Sequence, residues 1–239
     1  MLNIIFLAAA CLIPYLTGSI NFSILISKGV SGEDIRNSGS GNAGATNMLR
    51  TYGKGLAVIT LLGDILKGVA GVLIGIFLSY MAEKYVIPAG SGGVGLSVSE
   101  SSYASIRTAL PYYKFLGAFF VILGHNFPVY FRFKGGKGVA TSLGAVLTLN
   151  WQVGLIVLVF ALIIMAVTRY VSLGSVMSAV IYIAVDVSQM IFTGSFSIVQ
   201  LIFDIAISGL LILRHHANIK RLLNGSESKL GSKTKGRSE

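Results

Sequence analysis

Long apolar runs leave this chain few folds to choose from. Apolar segments at about residues 3–27, 56–80, 112–123, 139–149, 153–168, 171–191 and 198–213 alternate with polar stretches. A helix needs about 20 apolar residues to cross a bilayer. The runs are continuous, whereas the strands of a transmembrane barrel would alternate over about ten residues. Only 12% of the residues are charged and 54% are hydrophobic, and a soluble domain carries about twice that charged fraction. The expectation is an all-α integral membrane protein, a bundle of seven transmembrane helices. Two of them, at 112–123 and 139–149, are short, and five spans result if those two only dip into the membrane. The 29 glycines among few prolines point to closely packed helices. The first segment lacks a basic leader region and is too long for a cleaved signal, so it reads as a retained span. Cys11 stands alone, which excludes an internal disulfide or a cysteine metal cluster.

Orientation follows from Lys and Arg. Lys28, Arg36, Arg50, Lys54, Arg132, Lys134, Lys137, Arg169, Arg214, Lys220 and Arg221 fall on one side, against Lys84, Arg107 and Lys114 on the other. The positive-inside rule then puts the N-terminus outside and the C-terminus in the cytoplasm. The net charge of +10 sits in short loops beside spans, which fits an anionic lipid surface and not nucleic acid. A single transmembrane domain is expected over 1–225, with a polar, basic, disordered tail at 226–239. The Gly- and Ser-rich stretch at 81–111 is a connector on the far side.

The polar chemistry gathers on the basic side. Residues 124–141 place Arg132, Lys134 and Lys137 among Gly135, Gly136 and Gly138, bare backbone next to compact positive charge, as an oxyanion site requires. It is not a nucleotide P-loop, because Gly138 stands where Ser or Thr should follow and Phe131 stands where the upstream glycine should be. Residues 38–50 combine glycines, serines, Asn42, Thr46 and Asn47 with a terminal Arg50, whose planar fork suits two oxygens of a phosphate. Two such cradles on one face suggest two phosphates. The turn at 169–175 adds Ser172 and Ser175, also explained as helix capping. On a helix the basic stretch at 214–221 stacks His215, Asn218 and Arg221 on one face. His125 is more often a structural hydrogen-bonder than a catalyst. Asp64 pairs with Lys67 at i, i+3, while Asp186 and Asp204 read as hydrogen bonds between spans. No zinc-type ligand set emerges, and neither metal nor cofactor is expected.

Three stretches resemble one family. Gly-Ser-Gly-Asn-x-Gly-Ala-Thr-Asn-x-x-Arg at 39–50, Gly-His-x-x-Pro-x-x-x-x-Phe-Lys-Gly-Gly-Lys-Gly-Val-Ala-Thr at 124–141 and Arg-His-x-x-Asn-Ile-x-Arg-Leu-x-x-Gly-x-Glu at 214–227 resemble the bacterial acyl-phosphate-dependent glycerol-3-phosphate acyltransferases, the PlsY family. The resemblance implies a seven-helix enzyme of the bacterial cytoplasmic membrane with its active site facing the cytoplasm. Its substrates would be acyl phosphate and glycerol 3-phosphate, its product lysophosphatidate, and an acyl-phosphate-forming enzyme its functional neighbour. By motif position it makes Ser40, Arg50, Lys137, His215 and Asn218 catalytic. Around the substrates it places Ser19, Gly39, Gly41, Asn42, Thr46, Asn47, His125, Lys134, Gly135, Gly136, Gly138, Ser172 and Ser175, with Lys134 acting on loop shape or surface charge. His216 and Ala217 replace an Arg-Glu pair common in the family, and the loop at 81–111 is longer than usual.

An acyl phosphate is already activated, so no enzyme nucleophile is required, and the sequence offers none at a credible place. Direct attack by the glycerol hydroxyl is expected, its proton going to the substrate's own phosphate or to His215. The acyl chain should lie between helices, in a groove that Gly144, Gly154 and Gly174 could widen unless they serve close packing. The runner-up, an anion transporter, would need a polar path through the spans.

Overall fold

The computed structural model describes residues 2–86 and 108–231, and these are helical with short connections. The helices are α1 (Leu2–Ser19), α2 (Phe22–Ser31), α3 (Ala45–Tyr52), α4 (Lys54–Val86), α5 (Tyr113–Asn126), α6 (Val139–Leu149), α7 (Trp151–Thr168), α8 (Val171–Phe192), α9 (Ile198–Arg214) and α10 (His216–Leu223). Five segments are long and apolar enough to cross a membrane: Ile4–Ser31, Lys54–Tyr85, Leu110–Phe131, Trp151–Thr168 and Val171–Phe192. A sixth follows if α9 and α10, bent by 59° where they meet, count as one. The eleven residues of α6 span only about 17 Å, roughly half the hydrocarbon thickness. Large apolar side chains such as Leu62, Val159, Leu162 and Val167 face outward, as a lipid-facing surface requires.

Three sequence expectations change. The first segment is broken at Ile20–Asn21, because the Asn21 side chain caps α2 by accepting from the Ile24 N–H at 3.2 Å. The free Ile20 carbonyl accepts from Lys67 Nζ at 2.7 Å, so the break is satisfied from α4. The polar loop expected over 28–55 contains the amphipathic α3. The third apolar segment is not short: a 3-10 turn at Leu110–Tyr112 and the run to Asn126 lengthen it. The far-side connector lies largely at 87–107, outside the described residues, as does 232–239 of the tail.

Glycines set the helix spacing. A Cβ at Gly144 would stand 2.1 Å from the Ile65 carbonyl oxygen, and one at Gly68 equally close to the Thr141 oxygen. Backbone therefore meets backbone between α4 and α6, as in membrane bundles whose interfaces use small residues. Val72 of α4, Ala118, Val121 and Ile122 of α5, Ala145 of α6 and Ile207 of α9 fill the centre of the bundle. Among the described residues, Asp186 and Asp204 do tie helices together: Gln200 donates to Asp186 at 2.6 Å and Tyr182 to Asp204 at 2.5 Å, each across the α8–α9 pair.

Candidate active site

The loop at 132–138 is made rigid before it meets any substrate. Arg132 and Phe133 both adopt left-handed backbone at φ 57° and 58°, a conformation that costs a non-glycine residue about 1–2 kcal/mol. Two arginines from distant parts of the chain hold the turn, Arg36 from a 3-10 turn at Ile35–Asn37 and Arg214 from the end of α9. Arg36, itself aligned by Asp34 at 2.7 Å, donates to the carbonyls of Phe131 at 3.0 Å and Lys134 at 2.7 Å. Arg214 donates to Gly136 at 3.0 Å and Gly135 at 3.3 Å, and stacks over the Phe127 ring. With these carbonyls engaged, Gly138 turns at φ 82° into α6. The first N–H groups of a helix have no intrahelical acceptors, and Gly138, Val139 and Ala140 line the cavity they open on.

Beneath this loop lies a charge cluster that sequence spacing only half showed. Asp64 pairs with Lys67 at 2.9 Å and stands 3.5 Å from His125 Nδ1, all three buried. The His125 carbonyl accepts from the Gly136 N–H at 3.2 Å. Its ring fills the space where a Gly136 Cβ would go. His125 thus braces the glycine loop from below.

The other cradle is shaped by Asn47. Its Oδ1 accepts from the Ser40 N–H at 2.8 Å, and its Nδ2 donates to the carbonyls of Ile35 at 3.1 Å and Ser38 at 3.0 Å. The amide placed beside the substrates by motif position spends its bonds on the loop itself. Gly39 and Gly41 take the left-handed conformations this turn needs, at φ 58° and 71°. Arg50, one turn on from Thr46, faces the cavity with no hydrogen bond or carboxylate partner among the described residues. An unpaired guanidinium of this kind is prepared for an anion.

The stretch at 214–227 meets the glycine loop through Lys137, whose Nζ donates to Asn218 Oδ1 at 2.6 Å. The Asn218 amide donates onward to Glu227 at 2.6 Å, which also accepts from Ser172 at 2.7 Å and Arg221 at 2.6 Å. Glu227 lies just past the domain boundary expected at 225 and stood in the third motif without a role. Its docking draws this part of the tail onto α8 and α10. Burial opposes the Glu227 charge, but the bonds from Asn218, Ser172 and Arg221 outweigh it and hold the carboxyl below its usual range. Burial pulls Lys137 down to about 8, with Glu227 opposing and Arg221, Arg50 and Arg214 adding to the fall. Buried His215 sets Nδ1 2.8 Å from the Leu211 carbonyl. A carbonyl only accepts, so Nδ1 carries the proton and Nε2 of the neutral ring can accept one.

These elements enclose one cavity of about 880 Å³. It is lined by Ser40, Gly41, Asn42, Thr46, Asn47, Arg50, His125, Gly135, Lys137, Gly138, Ser172, Ser175, His215 and Asn218. Arg221, which spacing stacks with His215 and Asn218, lines it too, as do Arg214 and Glu227, to which the sequence assigned no role in the site. Ser19 is not among the lining residues; its hydroxyl donates to Tyr15 and accepts from the Val129 N–H. Gly39, Lys134 and Gly136 also stand back, Lys134 on the surface. From the polar end the cavity continues as an apolar groove between Val139, Leu143, Val146, Val157, Leu158, Ala161 and Leu211. Of the three glycines expected to widen a groove, Gly154 lines it, whereas Gly144 and Gly174 sit against Ile65 and against Met165 and Ala161.

Residues 8–225 match the family model described as glycerol-3-phosphate acyltransferase. A glycerol-3-phosphate acyltransferase of Clostridioides difficile is 39% identical over 92% of this chain and 94% of its own length. One from Thermoanaerobacter sp. is 40% identical over 93% and 95%. Among solved structures, the glycerol 3-phosphate form of PlsY (YgiH), an integral membrane glycerol 3-phosphate acyltransferase, superposes with a TM-score of 0.71. The two are 33% identical, over 93% of this chain and 94% of that one. The lysophosphatidic acid form gives a TM-score of 0.67 at 31% identity, covering 97% and 96%.

Proposed function

The chain belongs to the glycerol-3-phosphate acyltransferase family, and we propose that it takes its acyl group from an acyl phosphate to form 1-acylglycerol 3-phosphate. One observation carries this reading. A polar chamber with two separate cationic elements, Arg50 and Lys137, opens directly into an apolar groove. Two phosphates and one fatty chain fit that division of chemistry.

The glycerol 1-hydroxyl attacks the acyl carbonyl carbon, forming the ester C–O bond. The bond from that carbon to the phosphate oxygen breaks, and inorganic phosphate leaves with the electron pair. The hydroxyl proton passes to a phosphate oxygen of the substrate or to His215 Nε2. Arg50, Lys137 and the N-terminal N–H groups of α6 hold phosphate and stabilise the charge that grows on the departing one. Ser40 and Thr46 orient the donor; Asn218 keeps Lys137 aimed. Holding both substrates in one cavity replaces a bimolecular encounter and supplies much of the rate. The excess of Lys and Arg at the motif-bearing end supports a cytoplasmic-membrane enzyme with its site facing the cytoplasm. An enzyme that makes acyl phosphate is then its natural neighbour.

The test is to incubate the purified protein in lipid with labelled glycerol 3-phosphate and, in parallel, acyl phosphate, acyl-CoA or acyl carrier protein thioester. Lysophosphatidate from acyl phosphate alone is expected. Product from a thioester instead would refute the donor assignment, and product from none would refute the reaction.

A further inference from the structure

The apolar groove ends at a wall. Along α8 it is lined by Ser172, Ser175, Ala179 and Tyr182, positions that share one helical face. The rise from Ser172 to Tyr182 is about 15 Å at 1.5 Å per residue. Tyr182 also lines a second cavity of about 290 Å³, with Phe115, Leu149, Asn150 and Asp186. Among the described residues Tyr182 is the one that lines both, so it stands between the two as a partition.

That partition is fixed from several sides. Tyr182 is 5% exposed and packs with Val146 and Val153. Its hydroxyl donates at 2.5 Å to Asp204, which has no exposed surface. One turn below, Ser208 donates to the Ala179 carbonyl at 3.0 Å and fastens α9 to the same stretch of α8. Swinging the ring aside would strip a buried carboxylate of its donor, which is costly.

We propose that Tyr182, locked by Asp204, sets the length of acyl chain the site accepts. The proposal rests on the acyl-phosphate reading above. An extended chain advances about 1.3 Å per methylene with staggered torsions and 1.5 Å bonds, so the wall admits about a dozen methylenes beyond Ser172. Longer chains must bend or leave sideways past Leu61 and Leu162.

The test uses the full chain in phospholipid vesicles with a ladder of saturated acyl phosphates, reading kcat/KM for each length. The double variant Tyr182→Ala with Asp204→Ala removes the wall and its buried carboxylate together and joins the two cavities. It should raise the ratio of long-chain to short-chain kcat/KM at least about tenfold, the discrimination a few methylenes carry in an apolar pocket. Tyr182→Phe keeps the ring but loses its tie to Asp204, and should recover part of the double variant's long-chain gain; a length profile identical to wild type would overturn the role given to Asp204. Ala179→Leu, a smaller change about one turn nearer the phosphates, should lower the limit by about three methylenes, since the three residues from 179 to 182 rise about 4.5 Å. It remains informative if the double variant fails to fold. Wild-type protein inactive with every acyl phosphate would refute the reading of the donor, not the wall. An active wild type whose length profile is the same in the double variant and in Ala179→Leu would overturn the proposal.

Discussion

Glu227→Gln should move the alkaline limb of activity without removing any group proposed to touch substrate. Lys137 holds phosphate as an ammonium, so its contribution is present below about pH 8 and lost as pH rises through that value. The Glu227 carboxylate favours the ammonium. Its oxygen is connected to Lys137 Nζ by two bonds of 2.6 Å through the Asn218 amide. With about 2.2 Å across that amide, the two charges are at most about 7 Å apart. At an effective dielectric constant of about 20, a pair at that distance interacts by about 2.4 kcal/mol, or about 1.7 pH units. Solvent reaching the half-exposed Arg221 weakens this, and a downward shift of about 1 to 1.7 units is expected. Gln can still accept from Ser172 and Asn218, so the fold should survive. The assay is the pH dependence of initial rate with both substrates below saturation, which reports the free enzyme. The substrate phosphate, titrating near pH 6, sets the acid limb. The wild-type plateau should therefore narrow to a peak in the variant. Lys137→Arg keeps its charge throughout and should show no alkaline limb in this range. A limb that stays near pH 8 in folded Glu227→Gln, or persists in Lys137→Arg, refutes the reasoning.

Other outcomes follow from the same geometry. If His215 is the base, His215→Asn should lose at least about a hundredfold in turnover while still binding donor; retention of more than a tenth would assign the proton to the substrate phosphate. Arg50→Ala should lower kcat/KM by about ten- to a hundredfold, the worth of charge-assisted bonds to phosphate. Arg50→Lys should not restore it if the fork is used, and full recovery would argue for a point charge alone. Asn47→Ala leaves the Ser40 N–H without its acceptor and takes one of two donors from the Ile35 and Ser38 carbonyls, which keep the Ser38 and Gly41 N–H groups, a loss of about 1–3 kcal/mol. Thermal unfolding in detergent should show a clear drop in midpoint, and an unchanged midpoint would remove Asn47 from its role as brace.

The helices and the three polar stretches were legible because each has a local signature. Apolar length marks a span, and glycine beside a cation marks an anion loop. What stayed hidden depends on contacts far along the chain. Nothing near Arg214 says that its fork closes on Gly135 and Gly136, 78 residues away from the latter. Asn47 looks like a donor to substrate until its three backbone partners are seen. The Asp64–Lys67 spacing was visible, but His125 comes from another helix. The break at Ile20–Asn21 was concealed because the apolar run continues across it, and a polar side chain, Lys67, meets the loosened backbone. Asp186 and Asp204 were read correctly as interhelical hydrogen bonds, since a lone acid among apolar residues must find a donor.

The clamping of the glycine loop by Arg36 and Arg214 has a consequence for biogenesis. A nascent chain emptying from the ribosome in order would have inserted most of its spans before Arg214 exists, and Glu227 follows later still. Until then the loop has one of its two arginine clamps and Lys137 lacks Asn218. Synthesis and catalytic competence are thereby separated in time: the protein settles among lipids first and acquires its phosphate chamber last. A chain stalled before residue 214 should integrate into vesicles yet fail to retain inorganic phosphate, which a released full-length chain would hold.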